Sequence, residues 1–173
     1  MTPDVIAYVK KHADKLTGRV IDVGSKNHNG NLNEVIKVDT GIDMQPGEGV
    51  DVVCKIEEMD LTFKEGEFDS LVSTETLEHC ADWKAFVLNT WAVVKDGGYL
   101  LITMASTRKS YHGYPDDYWR LTADHVKQIW PDAEDITDLG QVSIGWVVKK
   151  RYGRIGDLDT ITPIIVESRR HRR

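Results

Sequence analysis

Cysteine is scarce in this chain, which has only two among its 173 residues, Cys54 and Cys80. Small secreted domains commonly depend on several disulfides, so this scarcity argues against a disulfide framework and indicates a reduced, cytoplasmic setting. Long apolar runs are also missing: segments such as 99–104 are far shorter than the ~20 residues that span a bilayer. The N-terminus lacks the basic and apolar segments of a secretion signal. We therefore expect neither secretion nor contact with a membrane.

An excess of positive charge is lacking as well. The formal net charge is -6, which argues against general affinity for the backbone of a nucleic acid. The exception is the C-terminal segment 168–173, which is rich in arginine. Because chain termini are often unstructured, we expect a flexible, solvated tail there. Contact of this tail with a nucleic acid or another acidic partner is the alternative.

The length and the hydrophobic pattern predict one domain over residues 1–173. No repeat, low-complexity stretch or linker divides the chain. The predicted helices are 3–16, 83–94 and 122–130, and the predicted strands are 20–23, 35–43, 50–56, 68–73, 99–104, 133–139, 142–150 and 160–167. The pairing of the last three strands is left open. This alternation favours an α/β fold, a Rossmann-like, mainly parallel sheet with helices on both faces.

The loop after the first strand is the predicted ligand site, since open parallel sheets bind ligands beyond the carboxyl ends of their strands. In this loop Gly24-Ser25 lets the backbone approach a ligand closely, and Asn29-Gly30 can form a turn. Asp43 follows Gly24 by 19 residues, about the spacing at which an acidic side chain binds ribose hydroxyls. The alternatives are a simple tight turn at Gly24 and a solvated strand end at Asp43, with Asp39 as the rival acidic residue.

The pattern G-x-G-x-x-G is missing from this loop, because Lys26 and Asn27 interrupt it. A pyrophosphate cradle of the kind that binds NAD is therefore disfavoured, and with it a nucleotide-dependent oxidoreductase. A nucleotide-like ligand without a phosphate remains compatible with the loop.

Five segments together carry a resemblance to a known family. They are Asp-Val-Gly-Ser-Lys-Asn-His-Asn-Gly (22–30), Gly-Ile-Asp-Met-Gln-Pro-Gly-Glu-Gly-Val-Asp-Val-Val (41–53), Phe-Asp-Ser-Leu-Val-Ser-Thr-Glu-Thr-Leu-Glu-His (68–79), Lys-Asp-Gly-Gly (95–98) and His-Gly-Tyr-Pro-Asp-Asp-Tyr-Trp-Arg-Leu-Thr (112–122). In this order the chain resembles a class I S-adenosylmethionine-dependent methyltransferase, of the small type found in phages and bacteria. The resemblance implies S-adenosylmethionine as the cofactor and an antiparallel final strand, expected near residues 160–167.

The resemblance also implies a cofactor site built on the ends of the first strands. Asp43 would bind the ribose, with Met44 beside the adenine, and the first loop would contact the methionine end. Lys55 stands where the family usually has an acidic residue facing the adenine, so Glu57 is the candidate in its place. The residues assigned to the cofactor are Asp22, Gly24, Ser25, Gly30, Asp43, Met44, Glu57, Ser73, Thr74 and Glu75, of which the last three would line the reacting sulfur.

Methyl transfer from a sulfonium displaces a neutral leaving group. Catalysis can therefore depend on positioning the acceptor, with a base when the acceptor is a hydroxyl. The candidate bases are His79, His112, Asp116 and Asp117, and the main candidates among them are the two histidines and Asp116. For His79 the alternative is a capping or packing role.

The segment around His112 is aromatic, and Tyr114 and Tyr118 are predicted to bind the acceptor. The alternative is a surface loop whose aromatic side chains cover the core. Arg120 is the third predicted acceptor contact: it could clamp an acidic group bidentately or form an ion pair with Asp116 or Asp117.

Metal-ligating residues show no recognisable spacing. No pair among His28, His79, His112, Cys54 and Cys80 is spaced as ligands of one metal, so the sequence predicts no metal site. Neither cysteine has a setting that would activate it as a nucleophile.

The overall prediction is S-adenosylmethionine-dependent methyl transfer to a small molecule or sugar. The lean chain leaves little room for a substrate-recognition domain, which fits an open site or recognition completed by a second subunit, in a homodimer or with a partner protein. DNA methylation is disfavoured because the chain is acidic and lacks an Asn/Asp-Pro-Pro-Tyr segment after the fourth strand. The alternative is a non-catalytic, cofactor-binding scaffold or regulatory subunit of a larger assembly.

Overall fold

The computed structural model describes residues 1–27, 30–113, 116–151 and 154–166. Within these ranges the strands are β1 (Val20–Val23), β2 (Thr40–Asp43), β3 (Val52–Val53), β4 (Phe68–Thr74), β5 (Val94–Ala105), β6 (Trp119–Arg120), β7 (Ala133–Leu139), β8 (Ser143–Lys149) and β9 (Ile164–Ile165). The helices are α1 (Pro3–Lys11), α2 (Met59–Thr62), α3 (Trp83–Val93) and α4 (Ala123–Ile129). Short 3-10 turns lie at Leu32–Glu34, Ile56–Glu58, Leu77–His79 and Leu158–Thr160.

Seven strands form one sheet in the order β3-β2-β1-β4-β5-β8-β7. The strands from β3 to β5 are parallel to their neighbours, whereas β8 runs antiparallel to both β5 and β7. The strand order reverses between β1 and β4, and such a reversal opens a crevice beyond the carboxyl ends of these strands. The predicted α/β fold with a mainly parallel sheet is confirmed.

Helices cover both faces of the sheet because the central strands alternate buried apolar side chains between two cores. On one face Phe86 and Val87 of α3 and Val126 and Ile129 of α4 pack in the core that contains Ile21. On the other face, Val5, Tyr8 and Val9 of α1 pack with Val20, Val72, Leu101 and Val147. Burial on both faces explains why the strands are nearly continuous apolar runs.

The antiparallel strand expected near residues 160–167 is present as β9, but it lies in a second, two-stranded sheet with β6. The antiparallel strand of the main sheet is β8, which pairs with β5 along seven consecutive residues of each strand. The second strand is shorter than predicted, because the Leu32–Glu34 turn and a hydrogen bond from Val38 N to Asn33 Oδ1 occupy the preceding residues. The first helix likewise ends at Lys11 rather than at residue 16.

Across the described ranges, each helix is too short or too polar to cross a bilayer.

Candidate cofactor and acceptor site

A cavity of about 1120 Å³ lies at the carboxyl ends of β1, β2 and β4. It is therefore at the position that the reversal of strand order predicts for a ligand. Of the residues assigned to a site from the sequence, the cavity is lined by Asp22, Gly24, Ser25, Gly30, Asp43, Met44, Glu57, Thr74, Glu75, His79, His112, Asp116 and Tyr118.

The first loop is shaped by a glycine that no other residue could easily replace. Gly24 has a φ of 84°, and a Cβ at this position would overlap Oγ1 of Thr76. The backbone N–H groups of Gly24 and Ser25 both donate to the carbonyl oxygen of Ile42, at 2.8 and 2.9 Å. These bonds turn the loop toward the end of β2 and keep the floor of the cavity free of side-chain bulk.

Two buried polar atoms on the cavity wall lack a hydrogen-bond partner among the described residues, Oδ1 of Asp22 and Oγ of Ser25. Burial, followed by the nearby charge of Asp43, raises the pKa of Asp22 from 3.8 to about 7. Unpaired buried polar groups are costly unless a ligand satisfies them. A ligand with a cationic donor, such as the ammonium group of S-adenosylmethionine, fits both atoms.

Asp43 and Met44 stand together at the end of β2, on the cavity wall. Oδ1 of Asp43 accepts a hydrogen bond from the N–H of Gln45 at 2.9 Å, which orients the carboxylate. The rival Asp39 is used elsewhere: its Oδ2 accepts from the N–H of Val20 at 3.0 Å, and its Oδ1 pairs with Lys37 at 2.8 Å. Of the two acidic residues, Asp43 is the one that lines the cavity.

Glu75 sits at the end of β4 with a φ of 54°, a strained value for a residue other than glycine. Its carboxylate accepts hydrogen bonds from Oγ1 of Thr103 at 3.0 Å and Oγ of Ser143 at 2.8 Å. Thr103 lies on β5 and Ser143 lies on the neighbouring β8. These two partners hold the backbone of Glu75 and Thr74 against the cavity.

Two residues assigned to the site from the sequence do not line the cavity. Ser73 is buried and its hydroxyl donates to the carbonyl oxygen of Val23 at 2.9 Å, so it joins β4 to β1 instead of facing the ligand. Arg120 is only 2% exposed and forms a buried ion pair with Asp117. Of the two predicted roles for Arg120, an ion pair with a nearby aspartate and a clamp for an acidic acceptor, the structure shows the ion pair. Tyr114 lies outside the described residues.

The Leu77–His79 turn and the chain after β5 bring a connected group of ionisable side chains to the cavity. Nδ1 of His112 lies 2.8 Å from Oδ2 of Asp117, and Nδ1 of His79 contacts the carbonyl oxygen of Asp116. The rings of the two histidines are 5.1 Å apart. The hydroxyl of Tyr118 donates to Oδ2 of Asp116 at 3.3 Å. His79 and Asp116 therefore meet through the backbone, which the sequence does not indicate.

The pKa values of the ionisable side chains in and beside this group are shifted in different directions. Burial and the nearby charge of Lys109 lower the pKa of His112. Burial alone would raise the pKa of Asp117, but hydrogen bonds from Arg120 and from the N–H of His112 lower it overall. Glu78 was not assigned a role from the sequence, and it is fully buried here. Burial and then the charge of Glu75 raise its pKa to about 8.

The cavity wall also includes residues that the sequence reasoning missed, Thr76, Cys80 and Lys109 among them. The hydroxyl of Thr76 donates to the carbonyl oxygen of Val23 at 3.2 Å and fills the space beside Gly24. Its position directly after the acidic Glu75 was the available signal. Lys55, the departure noted above, lies on the wall together with Glu57.

The fold and the position of this cavity are those of a nucleotide-binding transferase. The family model described as "Methyltransferase domain" matches residues 3–141. The chain belongs to this family, and the predicted class, S-adenosylmethionine-dependent methyltransferase, is confirmed with its cofactor. No curated protein sequence matches the chain.

Solved structures support the same fold. A Burkholderia thailandensis 1,6-didemethyltoxoflavin-N1-methyltransferase, with 1,6-didemethyltoxoflavin and S-adenosylhomocysteine bound, has a TM-score of 0.67 at 15% identity, over 87% of this chain and 78% of that chain. A SAM-dependent methyltransferase from Aquifex aeolicus has a TM-score of 0.58 at 19% identity, over 83% and 88% of the two chains. A complex of the Haloferax volcanii Trm112 methyltransferase activator with a methyltransferase has a TM-score of 0.56 at 14% identity, over 86% and 92%.

Proposed function

We propose that this methyltransferase binds S-adenosylmethionine in the cavity and transfers its methyl group to a small molecule or sugar. The observation that carries the proposal is the placement of Asp22, Ser25 and Asp43 on one wall, with two buried oxygen atoms among them lacking a partner in the described residues. When bound, S-adenosylmethionine supplies a methyl group on a sulfonium, whose departure leaves a neutral thioether.

The residues on this wall would each bind a different part of S-adenosylmethionine. Asp22 and Ser25 would hold the cationic methionine end, because their oxygen atoms need a donor that the fold does not supply. Asp43 would accept both ribose hydroxyls at the end of β2, with Met44 and Glu57 beside the adenine. Lys55 lies near this adenine region, where Glu57 and Glu58 both line the cavity, and Glu57 is the one that we assign to the adenine.

The opposite wall would bind the acceptor and take its proton. Asp117 accepts from Nδ1 of His112, so the proton is held on Nδ1 and Nε2 keeps a lone pair. A hydroxyl acceptor would transfer its proton to this nitrogen as the oxygen–methyl bond forms. His79 and Asp116 would position the acceptor beside His112, and Tyr118 would cover it.

Support for a small acceptor comes from the size of the cavity. A cavity of about 1120 Å³ is large enough for the cofactor and a modest acceptor together. Among similar folds, the Burkholderia thailandensis enzyme holds a small heterocycle beside S-adenosylhomocysteine. Completion of the site by a partner subunit is a second possibility, since the Haloferax volcanii methyltransferase binds an activator. A homodimer and a cytoplasmic location also remain part of the proposal.

Calorimetric titration with S-adenosylhomocysteine, with NAD as the control, tests the cofactor assignment. We expect micromolar affinity for the first and none for the second. An acceptor screen with S-adenosylmethionine and purified small hydroxyl compounds, sugars and amines then tests for catalysis. Cofactor binding without turnover of any acceptor, alone or with a partner protein, would favour the non-catalytic scaffold instead. No binding of S-adenosylhomocysteine would contradict the proposed site.

A further inference from the structure

Three side chains of types that bind metals meet beside the cavity. Glu78 and His79 belong to the Leu77–His79 turn after β4, and His112 comes from the loop after β5. One ligand atom from each of the three lies within 4.8 Å of the other two. Nε2 of His112 is 3.8 Å from Oε1 of Glu78. A modest inward movement would place all three around one cation.

The two histidines are held in the state that binds metals. Nδ1 of His112 lies 2.8 Å from a carboxylate oxygen of Asp117, and Nδ1 of His79 contacts the carbonyl oxygen of Asp116. Because these oxygens only accept hydrogen bonds, the ring protons lie on Nδ1 and each Nε2 has a free lone pair. Metal-binding histidines are commonly oriented by a carboxylate or carbonyl on the other ring nitrogen.

Glu78 supplies an independent reason to expect a ligand. Its side chain is fully buried, and Oε1 accepts a hydrogen bond from the N–H of Ala105 at 3.1 Å. Oε2 has no partner among the described residues. The nearby cation Arg120 is occupied by the carboxylate of Asp117, with Nη2 at 2.7 Å from Oδ2. A buried carboxylate in this setting is stabilised by a cation that reaches its free oxygen.

We propose that Glu78, His79 and His112 bind one divalent transition-metal cation on the acceptor wall of the cavity. Two imidazole nitrogens and one carboxylate oxygen suit Zn²⁺, Mn²⁺, Fe²⁺ or Co²⁺ better than Ca²⁺ or Mg²⁺. Because His79 and His112 line the cavity, the cation retains an open position toward it. There it would bind the oxygen atom of an acceptor hydroxyl and lower the pKa of that hydroxyl. The proton would then pass to water, and the oxygen would take the methyl group as the sulfur leaves as a neutral thioether.

The metal site and the methyl transfer are separable. Metal binding depends only on the three ligands, whereas the role of the cation toward the acceptor rests on the proposed function. With the cation bound, Nε2 of His112 is a ligand and no longer the base; without it, His112 keeps the role described above. The two roles of His112, metal ligand and base, therefore differ in whether the protein binds a metal cation before any cofactor is added.

Metal binding is measured on tag-free protein that has been treated with a chelator. Equilibrium dialysis against Mn²⁺ or Zn²⁺, followed by elemental analysis, should give one cation per chain. Co²⁺ should add visible absorption bands that report nitrogen and oxygen ligands. We expect Glu78→Gln, His79→Asn and His112→Asn each to weaken binding at least tenfold and to remove the Co²⁺ bands. The control is Glu58→Gln, which removes a carboxylate of the cavity wall that is not one of the three ligands and should bind like the parent.

Two results would overturn the site: no stoichiometric cation in the parent protein, or equal weakening by Glu58→Gln and His112→Asn. Thermal unfolding identifies variants that fail to fold, and the half-buried His79 and His112 provide two tests that do not alter the buried Glu78. Titration of the same metal-free protein with S-adenosylhomocysteine keeps the proposals distinct. Cofactor binding without metal binding removes only the metal site, whereas the absence of cofactor binding contradicts the proposed function.

Discussion

The carboxylate of Asp117 fixes both the side chain and the backbone of His112. Oδ2 of Asp117 lies 2.8 Å from Nδ1 of His112 and accepts from the N–H of the same residue at 3.0 Å. Arg120 donates to the same carboxylate, and its burial makes this a charge pair inside the protein. The loop after β5 is thereby attached to β6, and His112 is oriented before any ligand arrives.

Removal of Asp117 should therefore destabilise the fold. Asp117→Ala leaves the buried guanidinium of Arg120 without its partner, and we expect a loss of about 3–5 kcal/mol in unfolding free energy. The matched control is Asp159→Ala: Asp159 pairs with Lys84 at 2.5 Å but its side chain is 88% exposed. That loss should be much smaller, because water screens an exposed ion pair. Denaturant unfolding measures the loss of unfolding free energy in both variants. Equal losses would show that the buried Asp117–Arg120 pair contributes no more to stability than the exposed pair.

His112 should affect turnover and not cofactor affinity. His112 comes from the loop after β5 whereas Asp43 ends β2, and as the proposed base or metal ligand His112 would act on the acceptor. With the acceptor found by the screen, His112→Ala should lower turnover by about 100-fold or more. Its affinity for S-adenosylhomocysteine should remain within about twofold of the parent. Unchanged turnover would remove His112 from the reaction, and a loss of cofactor affinity would place it on the wrong wall.

Asp43 should carry the contact with the ribose. Asp43→Ala removes a charge-assisted hydrogen bond worth roughly 1.5–3 kcal/mol, so affinity for S-adenosylhomocysteine should fall at least tenfold in calorimetry. Asp39→Ala is the comparison, since that carboxylate pairs with Lys37 and the N–H of Val20. We expect it to leave the affinity unchanged. The reverse pattern would move the ribose site to Asp39.

Gly24 should tolerate substitution less well than a glycine of similar backbone conformation. Gly24 and Gly97 have φ values of 84° and 85°, so alanine costs roughly 1–2 kcal/mol of backbone strain at either position. A Cβ at Gly97 meets nothing within 4 Å, whereas one at Gly24 overlaps Thr76. Gly24→Ala should thus lose more stability in thermal unfolding and should bind S-adenosylhomocysteine more weakly. Equal effects would mean that Thr76 moves aside freely.

The buried Asp22 should make stability depend on pH near neutrality. Its pKa in the folded protein is about 7, above the ordinary 3.8, because burial disfavours the charged form. The folded state keeps this proton where the unfolded chain loses it, so stability is lost as pH rises from about 4 to about 7. In Asp22→Asn this loss disappears. The difference in unfolding free energy between variant and parent should grow between about pH 4 and about pH 7. It should reach the order of 4 kcal/mol, since each unit of pKa shift corresponds to about 1.36 kcal/mol.

Asp39 provides a control of opposite sign for the pH experiment. Hydrogen bonds from Lys37 and the N–H of Val20 lower its pKa below 3.8. Its contribution to stability is present above that value and is lost as pH falls through the lowered pKa. Asp39→Asn should therefore differ from the parent in its acid limb and show no trend between pH 5 and pH 8. A similar neutral trend in both variants would exclude Asp22 as the cause.

Several residues of the cavity wall could be predicted from local pattern. Asp22, Gly24 and Asp43 follow directly from where buried strands end, because parallel strands present their carboxyl ends at one edge. Lys55 and Glu57, which follow the third strand, also line the cavity. The pairing of the last strands could not be predicted, since antiparallel partners depend on which edge of the sheet is free and not on the period of the strand.

The assignment of Ser73 shows a second limit. Strand position alone indicates that a residue near the end of β4 is close to the ligand, but successive side chains of a strand point to opposite faces. In the fold the hydroxyl of Ser73 reaches the carbonyl oxygen of Val23. The next residues, Thr74 and Glu75, are the ones that line the cavity.

The sequence by itself indicated the class of fold and pointed to the loop after the first strand as a ligand site. These follow from hydrophobic period and loop composition, which act over a few neighbouring residues. Only the tertiary structure decided that Arg120 pairs with Asp117 and that Glu78, His79 and His112 come together. The reason is that β4 and β5 lie side by side in parallel, so the loops that follow them meet although they are far apart in the chain.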